Sequence, residues 1–567
     1  MNKKILLIPI AIALAVIISL TAAALVVSRF SGNESTAVPL RIGDLDLNGE
    51  SNIIDLVMLK KYLVSLRELD AVQCKQADYN SDGFVDGLDL SELRRALICE
   101  EEYGDNAVSL TELYKGTTYY VSADGTSLDG TSILAPMSLE TANTKTYSTA
   151  DRVLFKSGDT FYGTIELNVS FDETSKIKNL TVSSYGEGPR PVISGGAVVS
   201  DEKSFKANVE NYLYTIDLSN TALFSRGYLT GEGIKNIGFI TDGVNVYGDR
   251  KKDISELSKQ YDFYINEKNI LYVICSQNPV KALGEVILAT DNVLMKAHSN
   301  TAVSGLRFTH TGAHAIIGAG DTTVSNVIIS DNIIENVGGS LQYILDGNFV
   351  RYGNGIEFYN KTVEGVRVEG NIIRGCYDVG FTVQGNNAAC SAKDVQISGN
   401  VFYANKQSNE IFIENAKSTG ITNYSFTENL CIASGYTWGN FTSNPKNGVP
   451  CEFLFYNYYP SVLDMNISNN TIIDCLRLYW WSVDDTALFK SGVKSSNNSL
   501  FVKSSAFSFK DAGTLEQLQS LYSKEIGSEY TEITGAGDYS ALKTAAVSDD
   551  ISEIFAAADN FTSKFNK

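Results

Sequence analysis

The stretches VIISDNII (Val327–Ile334), VRVEGNII (Val366–Ile373) and VQISGNVF (Val395–Phe402) are one text written three times: apolar residues in alternation, a turn ending in asparagine, then an apolar pair. YSFTENLC (Tyr424–Cys431) and MNISNNTII (Met465–Ile473) repeat it with small changes. The asparagines Asn332, Asn371, Asn400, Asn429, Asn470 and Asn498 follow one another at intervals of 39, 29, 29, 41 and 28 residues. Alternation with period two marks strands, and recurrence at this interval marks stacked coils of a solenoid. The period and the β-branched content exclude a helical solenoid. Asparagines stacked at a turn can hydrogen-bond up the column, and asparagine tolerates the left-handed backbone that a tight bend needs. Coils of roughly 25 residues at about 4.8 Å per rung build a long cylinder.

The opening coils, TTYYVSADGTSLDGTS (117–132), DRVLFKSGDTFYG (151–163) and LTVSSYGEGPRPVISGG (180–196), are strand-turn-strand text. They resemble those of exported right-handed parallel β-helix proteins of the pectate-lyase-like group. The resemblance implies a mainly β fold over 118–510 and a polysaccharide as substrate class, but no catalytic assignment. The multi-aspartate signature of polygalacturonases and the arginine and calcium-carboxylate set of common pectate lyases are not found.

Two coils are long, and their surplus must leave the cylinder as loops at 338–355 and 435–450, which carry the aromatics Tyr343, Phe349, Tyr352, Tyr436, Trp438 and Phe441. Loops on a rigid scaffold are where function concentrates. Aligning GIEFYN, GFTVQG and EIFIEN turns Glu357 outward beside Thr382 and Phe412, with Asp378 at the turn one coil on. Two carboxylates flanking a glycosidic bond are the minimum for its hydrolysis, so Glu357 and Asp378 are the candidate catalytic pair; acids bonding loop backbone are the plainer reading. Tyr352, Trp438, Arg367 and His314 are candidate substrate contacts. Arg367 belongs to an outward column running Arg307, Ile328, Arg367, Gln396, Ser425, Asn466 and Lys494, while His314, one of three histidines, aligns near Asn354. Two helical spacings near the C-terminus, in 511–567, suit a cap over the last coil.

A second repeat lies upstream. Shifted by 34, Asp44, Asp46, Asn48, Glu50, Asn52 and Asp55 fall on Asp78, Asn80, Asp82, Phe84, Asp86 and Asp89, with Gly49 on Gly83 and Leu59 on Leu93. Side-chain oxygens at positions 1, 3, 5, 9 and 12, a backbone carbonyl at 7 (Glu50, Phe84) and glycine at 6 are the order of a calcium loop. Residues 41–100 resemble a dockerin. The resemblance implies a small all-α module holding two calcium ions and docking to a cohesin of a scaffold protein. Positions 10 and 11, Ile53–Ile54 and Gly87–Leu88, depart from the Ser-Thr of many dockerins, which leaves the cohesin class open. About 60 residues bury little apolar surface, so cation binding becomes folding free energy.

The N-terminus supplies an export segment over 1–31, a cleaved signal or an uncleaved membrane anchor, followed by linkers at 32–40 and 101–117. Either reading places the rest outside the cytoplasm. A net charge of −20 over 567 residues argues against nucleic acid as a partner. Cys74 and Cys99 could pair, whereas Cys376 and Cys475, five residues after repeat asparagines several coils apart, read as buried thiols. The sequence thus points to a monomeric exported enzyme, hydrolase or lyase, acting on plant or microbial polysaccharide from a scaffold. A non-catalytic glycan-binding or structural arm is the alternative.

Overall fold

A computed structural model describes residues 116–172, 179–208, 212–220, 235–320, 322–441, 449–533 and 539–565, with shorter pieces between 42 and 94. The export segment at 1–31 and both linkers up to Lys115 lie outside the described residues. No helix among the described residues is long and apolar enough to cross a membrane. The chain divides into two compact units, 1–106 and 107–567.

In the larger unit, alternation has produced three long parallel sheets, two of ten strands and one of seven. Each coil visits them in turn: Thr362–Glu369 in the first, Ile372–Cys376 in the second and Val379–Gly385 in the third, the next coil repeating with Ser391–Ser398, Val401–Tyr403 and Gln407–Ile413. This is a parallel β-helix. Its interior is a continuous apolar column in which Val366, Val395, Phe381 and Ile411 are fully buried, each contributing about 1.5–3 kcal/mol by leaving water. Cys376, Cys390, Cys431, Cys451 and Cys475 lie buried as free thiols.

The repeat asparagines form a ladder. The backbone N–H of Asn332, Asn371, Asn400, Asn429 and Asn470 each donates to Oδ1 of the next, at 2.9–3.0 Å. Their side-chain amides also donate up the column, as Asn371 Nδ2 does to Asn400 Oδ1 at 2.9 Å. The left-handed residue is not the ladder asparagine itself but the one before it: Asp331, Gly370, Gly399, Glu428, Asn469 and Asn497 have φ between 53° and 63°. The asparagine thereby keeps its amide inside the turn, where the preceding residue's bend aims it. The outward column also differs in one member: Ala302, not Arg307, pairs with Ile328. Arg307 sits in the second sheet and binds Glu335 at 2.8 Å.

Three segments leave the solenoid, and all leave between the second and third sheets. One is the hairpin Ser340–Leu345/Asn348–Tyr352; another runs between Leu430–Ile432 and Phe453–Tyr456. The third, between Val192–Ser194 and Met295–Ala297, builds two four-stranded antiparallel sheets around their own core of Phe205, Phe263, Leu271 and Leu288. That insert interrupts the span read from sequence as continuous coils. The helix Leu515–Tyr522 follows the last coils, and the strand Glu529–Glu532 extends the second sheet by one more rung before two further helices, Ser540–Ala545 and Ile551–Thr562.

The smaller unit shows helices at Ile53–Leu63 and Ala71–Ala77. Its repeat is visible in mirrored bonds: Leu45 N–H donates to Asp55 Oδ1 at 2.8 Å and Tyr79 N–H to Asp89 Oδ1 at 2.7 Å. Leu59 and Leu93, equivalent in the repeat, are both fully buried. Cys74 is a free thiol, and Cys99 lies outside the described residues.

Candidate active site

The third sheet carries the acids. Its strands Ile356–Tyr359, Val379–Gly385, Gln407–Ile413 and Phe453–Tyr456 register so that Glu357, Thr382, Glu410 and Leu454 form one outward row and Tyr359, Gln384, Phe412 and Tyr456 the next. Sequence reading put Phe412 beside Glu357; the structure puts Glu410 in that row, two residues back. Thr382 Oγ1 lies between the two acids and donates to Glu410 Oε2 at 3.4 Å.

Glu357 is almost fully enclosed and held by three donors. His314 Nε2 stands 2.6 Å from Oε2, Asn354 Nδ2 donates to Oε2 at 3.3 Å and Gln384 Nε2 to Oε1 at 2.9 Å. Burial by itself would raise its pKa, but His314 and the other two donors outweigh it and hold the carboxyl below its usual range. Glu410 is the reverse case. Burial, then the neighbouring Asp378 and Glu357 carboxylates, push it well above the usual range, against the smaller pull of Thr382 and Lys406. Asp378 is raised by burial, and further by Glu357, although Lys406 and His314 oppose this. Lys406, only 3% exposed, is lowered by burial despite Asp378. Its Nζ lies 5.3 Å from the centre of the Tyr377 ring.

The structure therefore brings Glu357, Asp378 and His314 together, and Tyr352 with them, its ring 5.0 Å from that of His314. Burial, with Asp291 and Glu357 nearby, pushes the Tyr352 phenol up to about 12. Arg367 is not brought there; it is exposed on the first sheet. Trp438 is held as packing: its Nε1 donates to Gly375 O at 2.9 Å and its ring meets Phe239 of the insert and Tyr377. Arg351, buried, ties the hairpin to the insert through Asp249 at 2.9 Å and the Gly238 carbonyl at 3.0 Å. Sequence reading missed Glu410, Gln384 and Lys406. Outward parity in SNEIFI marked Glu410, but parity is unchanged by a slip of two residues.

In the smaller unit the described loop positions Asp44, Asp55, Asp78 and Asp89 are in place, and Asp44, Asp55 and Asp89 are buried. Asp46, Asn48, Glu50, Asn52, Asn80, Asp82, Phe84 and Asp86 lie outside the described residues. Buried carboxylates demand a cationic partner or a metal, and hard oxygen donors in this order suit calcium.

Residues 42–98 match the Dockerin type I domain family. The chain carries a dockerin, a calcium-binding module type whose partners are cohesins. No curated protein matches the chain. Among solved structures it is similar to XylC in complex with xylose, at 11% identity and a TM-score of 0.42, covering 68% of this chain and 69% of that one. It is also similar to a GH136 lacto-N-biosidase from Eubacterium ramulus, at 11% identity and a TM-score of 0.32 over 87% of this chain and 76% of that one. A Paenibacillus alginate lyase gives 9% identity and a TM-score of 0.28 over 74% of this chain and 99% of that one. The fold stands on its own strand register and not on these likenesses.

Proposed function

We propose that the chain is an exported, carbohydrate-active enzyme, a glycoside hydrolase, brought to its polysaccharide on a cohesin scaffold by a dockerin loaded with two calcium ions. In this reading 41–100 is the docking module, 118–510 the interrupted solenoid and 511–567 its cap. The observation that carries it is the pair Glu357 and Glu410: two carboxyl groups on one outward row whose surroundings push their pKa values in opposite directions.

Glu410, protonated, gives its proton to the glycosidic oxygen as the bond from that oxygen to the anomeric carbon breaks. Glu357, ionised, takes a proton from the water whose oxygen bonds to the same carbon. Their strands stand two rungs apart, roughly 10 Å, which favours an inverting arrangement with room for water between carboxyls about 6.5–9.5 Å apart. Asp378 is the adjacent anion that keeps the proton on Glu410, and His314, Asn354 and Gln384 position Glu357.

The test is to offer the full chain a polysaccharide panel while following new reducing ends, unsaturated uronide absorbance and the anomer first released. Reducing ends of inverted configuration, lost in Glu410→Gln, support the reading. Absorbance without hydrolysis, full activity in Glu410→Gln, or no turnover on any glycan overturns it.

A further inference from the structure

The row beside the acids has a character of its own. Tyr359, Gln384, Phe412 and Tyr456 follow one another on four successive rungs. Tyr359 and Tyr456 are 46% and 40% exposed, and the rings of Phe412 and Tyr456 lie 5.4 Å apart at 58°. Aromatic rings set in one row on a rigid sheet, apolar on their faces and polar at the tyrosine hydroxyls, are suited to a binding surface. Amides edge it, Asn386 exposed and Asn457 half-buried: Asn386 accepts from Asn360 at 3.3 Å and Asn457 donates to Glu414 at 3.4 Å. Flat apolar faces with hydrogen-bonding groups at their rim match a pyranose, which has apolar faces and hydroxyls around its edge.

We infer that this row is the binding strip for an extended, uncharged polysaccharide laid along the solenoid axis beside Glu357 and Glu410. The span from Tyr359 to Tyr456 is three rungs, roughly 14 Å, enough for several sugars rather than one. Gln384 joins the strip to the chemistry, since it stands in the row and donates to Glu357 at 2.9 Å. The absence of charge in the ligand follows from what faces it. No cation stands in either row between the Glu357 and Phe453–Tyr456 rungs. Of the nearby cations, Lys406 is buried against Tyr377, Arg351 is committed to Asp249, Lys361 donates to the Gly320 carbonyl, and Arg477 lies over the Trp480 ring one rung beyond the strip. A uronate chain would lay carboxylates beside the ionised Glu357 with no cation in the strip to neutralise them. That the ligand is also the substrate rests on the hydrolase reading; the strip itself does not.

Affinity electrophoresis of the full chain tests this, in gels cast with xylan, mixed-linkage β-glucan or galactan, and with alginate or polygalacturonate. Retardation is expected in at least one uncharged gel and in neither anionic one. The double variant Tyr359→Ala/Tyr456→Ala, at two exposed positions, should weaken it by roughly tenfold or more, and Arg367→Ala, exposed on the first sheet, should leave it unchanged. Migration unaltered in all three uncharged gels, retardation by the uronates, or a double variant that binds as the parent does overturns the inference. Retardation without turnover keeps the strip and removes the hydrolase; turnover with an unaltered KM in the double variant keeps the hydrolase and removes the strip.

Discussion

The backbone N–H of Asn354 donates to Nδ1 of His314 at 3.1 Å. With Nδ1 accepting, the Nε2 proton faces Glu357 at 2.6 Å. His314→Ala removes that donor, and the Glu357 carboxyl rises toward its ordinary value. The acid limb of kcat/KM against pH should move to higher pH, with activity near pH 5 falling more than activity near pH 7. A limb that stays in place would detach His314 from the ionisation of Glu357.

Glu410 has the opposite linkage. Its folded-state pKa lies above the unfolded one, so the folded unit binds its proton more tightly, and stability declines as pH rises from the unfolded pKa toward the folded one. Glu410→Gln should melt higher than the parent near pH 8, by about 1–2 °C for a unit of this size, and show no gain near pH 4. The same variant should lose about 10²–10⁴-fold in kcat. Thermal melts across pH read the first and turnover the second; equal melting curves at pH 8 would mean that the carboxyl is not held against its ionisation.

Asn400 accepts from the buried N–H of Asn371 and donates to Val368, Ser398 and Asn429. In Asn400→Ala the Asn371 N–H loses its acceptor inside the turn, a cost of roughly 1–3 kcal/mol. Asn560→Ala, at an exposed position of the helix Ile551–Thr562, should change stability by less than about 0.5 kcal/mol. Urea midpoints of the two variants give the comparison, and similar midpoints would show that the ladder contributes little.

Calcium removal should act on the smaller unit alone. A chelator in excess is expected to abolish capture by a cohesin while leaving polysaccharide turnover intact. Asp55→Ala and Asp89→Ala, at equivalent places of the two loops, should weaken capture by similar factors. Cohesin binding that survives chelation would break the link between the loops and docking.

Much of this architecture was legible because its signals are local and periodic. The alternation around Asn332, Asn371 and Asn400 fixes which side chains face inward, and the calcium-loop spacing from Asp44 to Asp89 admits few other readings. Register was not legible: period two returns every side chain to the same face after a slip of two, so Phe412 and Glu410 are interchangeable until strands are paired. The insert between Ser194 and Met295 escaped for a related reason. Its antiparallel strands, such as Leu213–Asp217 and Ile270–Ile274, alternate like the coils and differ only in partners distant along the chain. The surroundings that separate Glu357 from Glu410 come from four different coils, and no stretch of text contains them.

The insert departs and returns within a single turn of the solenoid, at the same corner as both long loops, and Arg351 and Trp438 fasten it to them. It is thus a replaceable side panel on a fixed frame. Lengthening or exchanging it would redraw the flank of the third sheet while every rung bearing Glu357 and Glu410 kept its place.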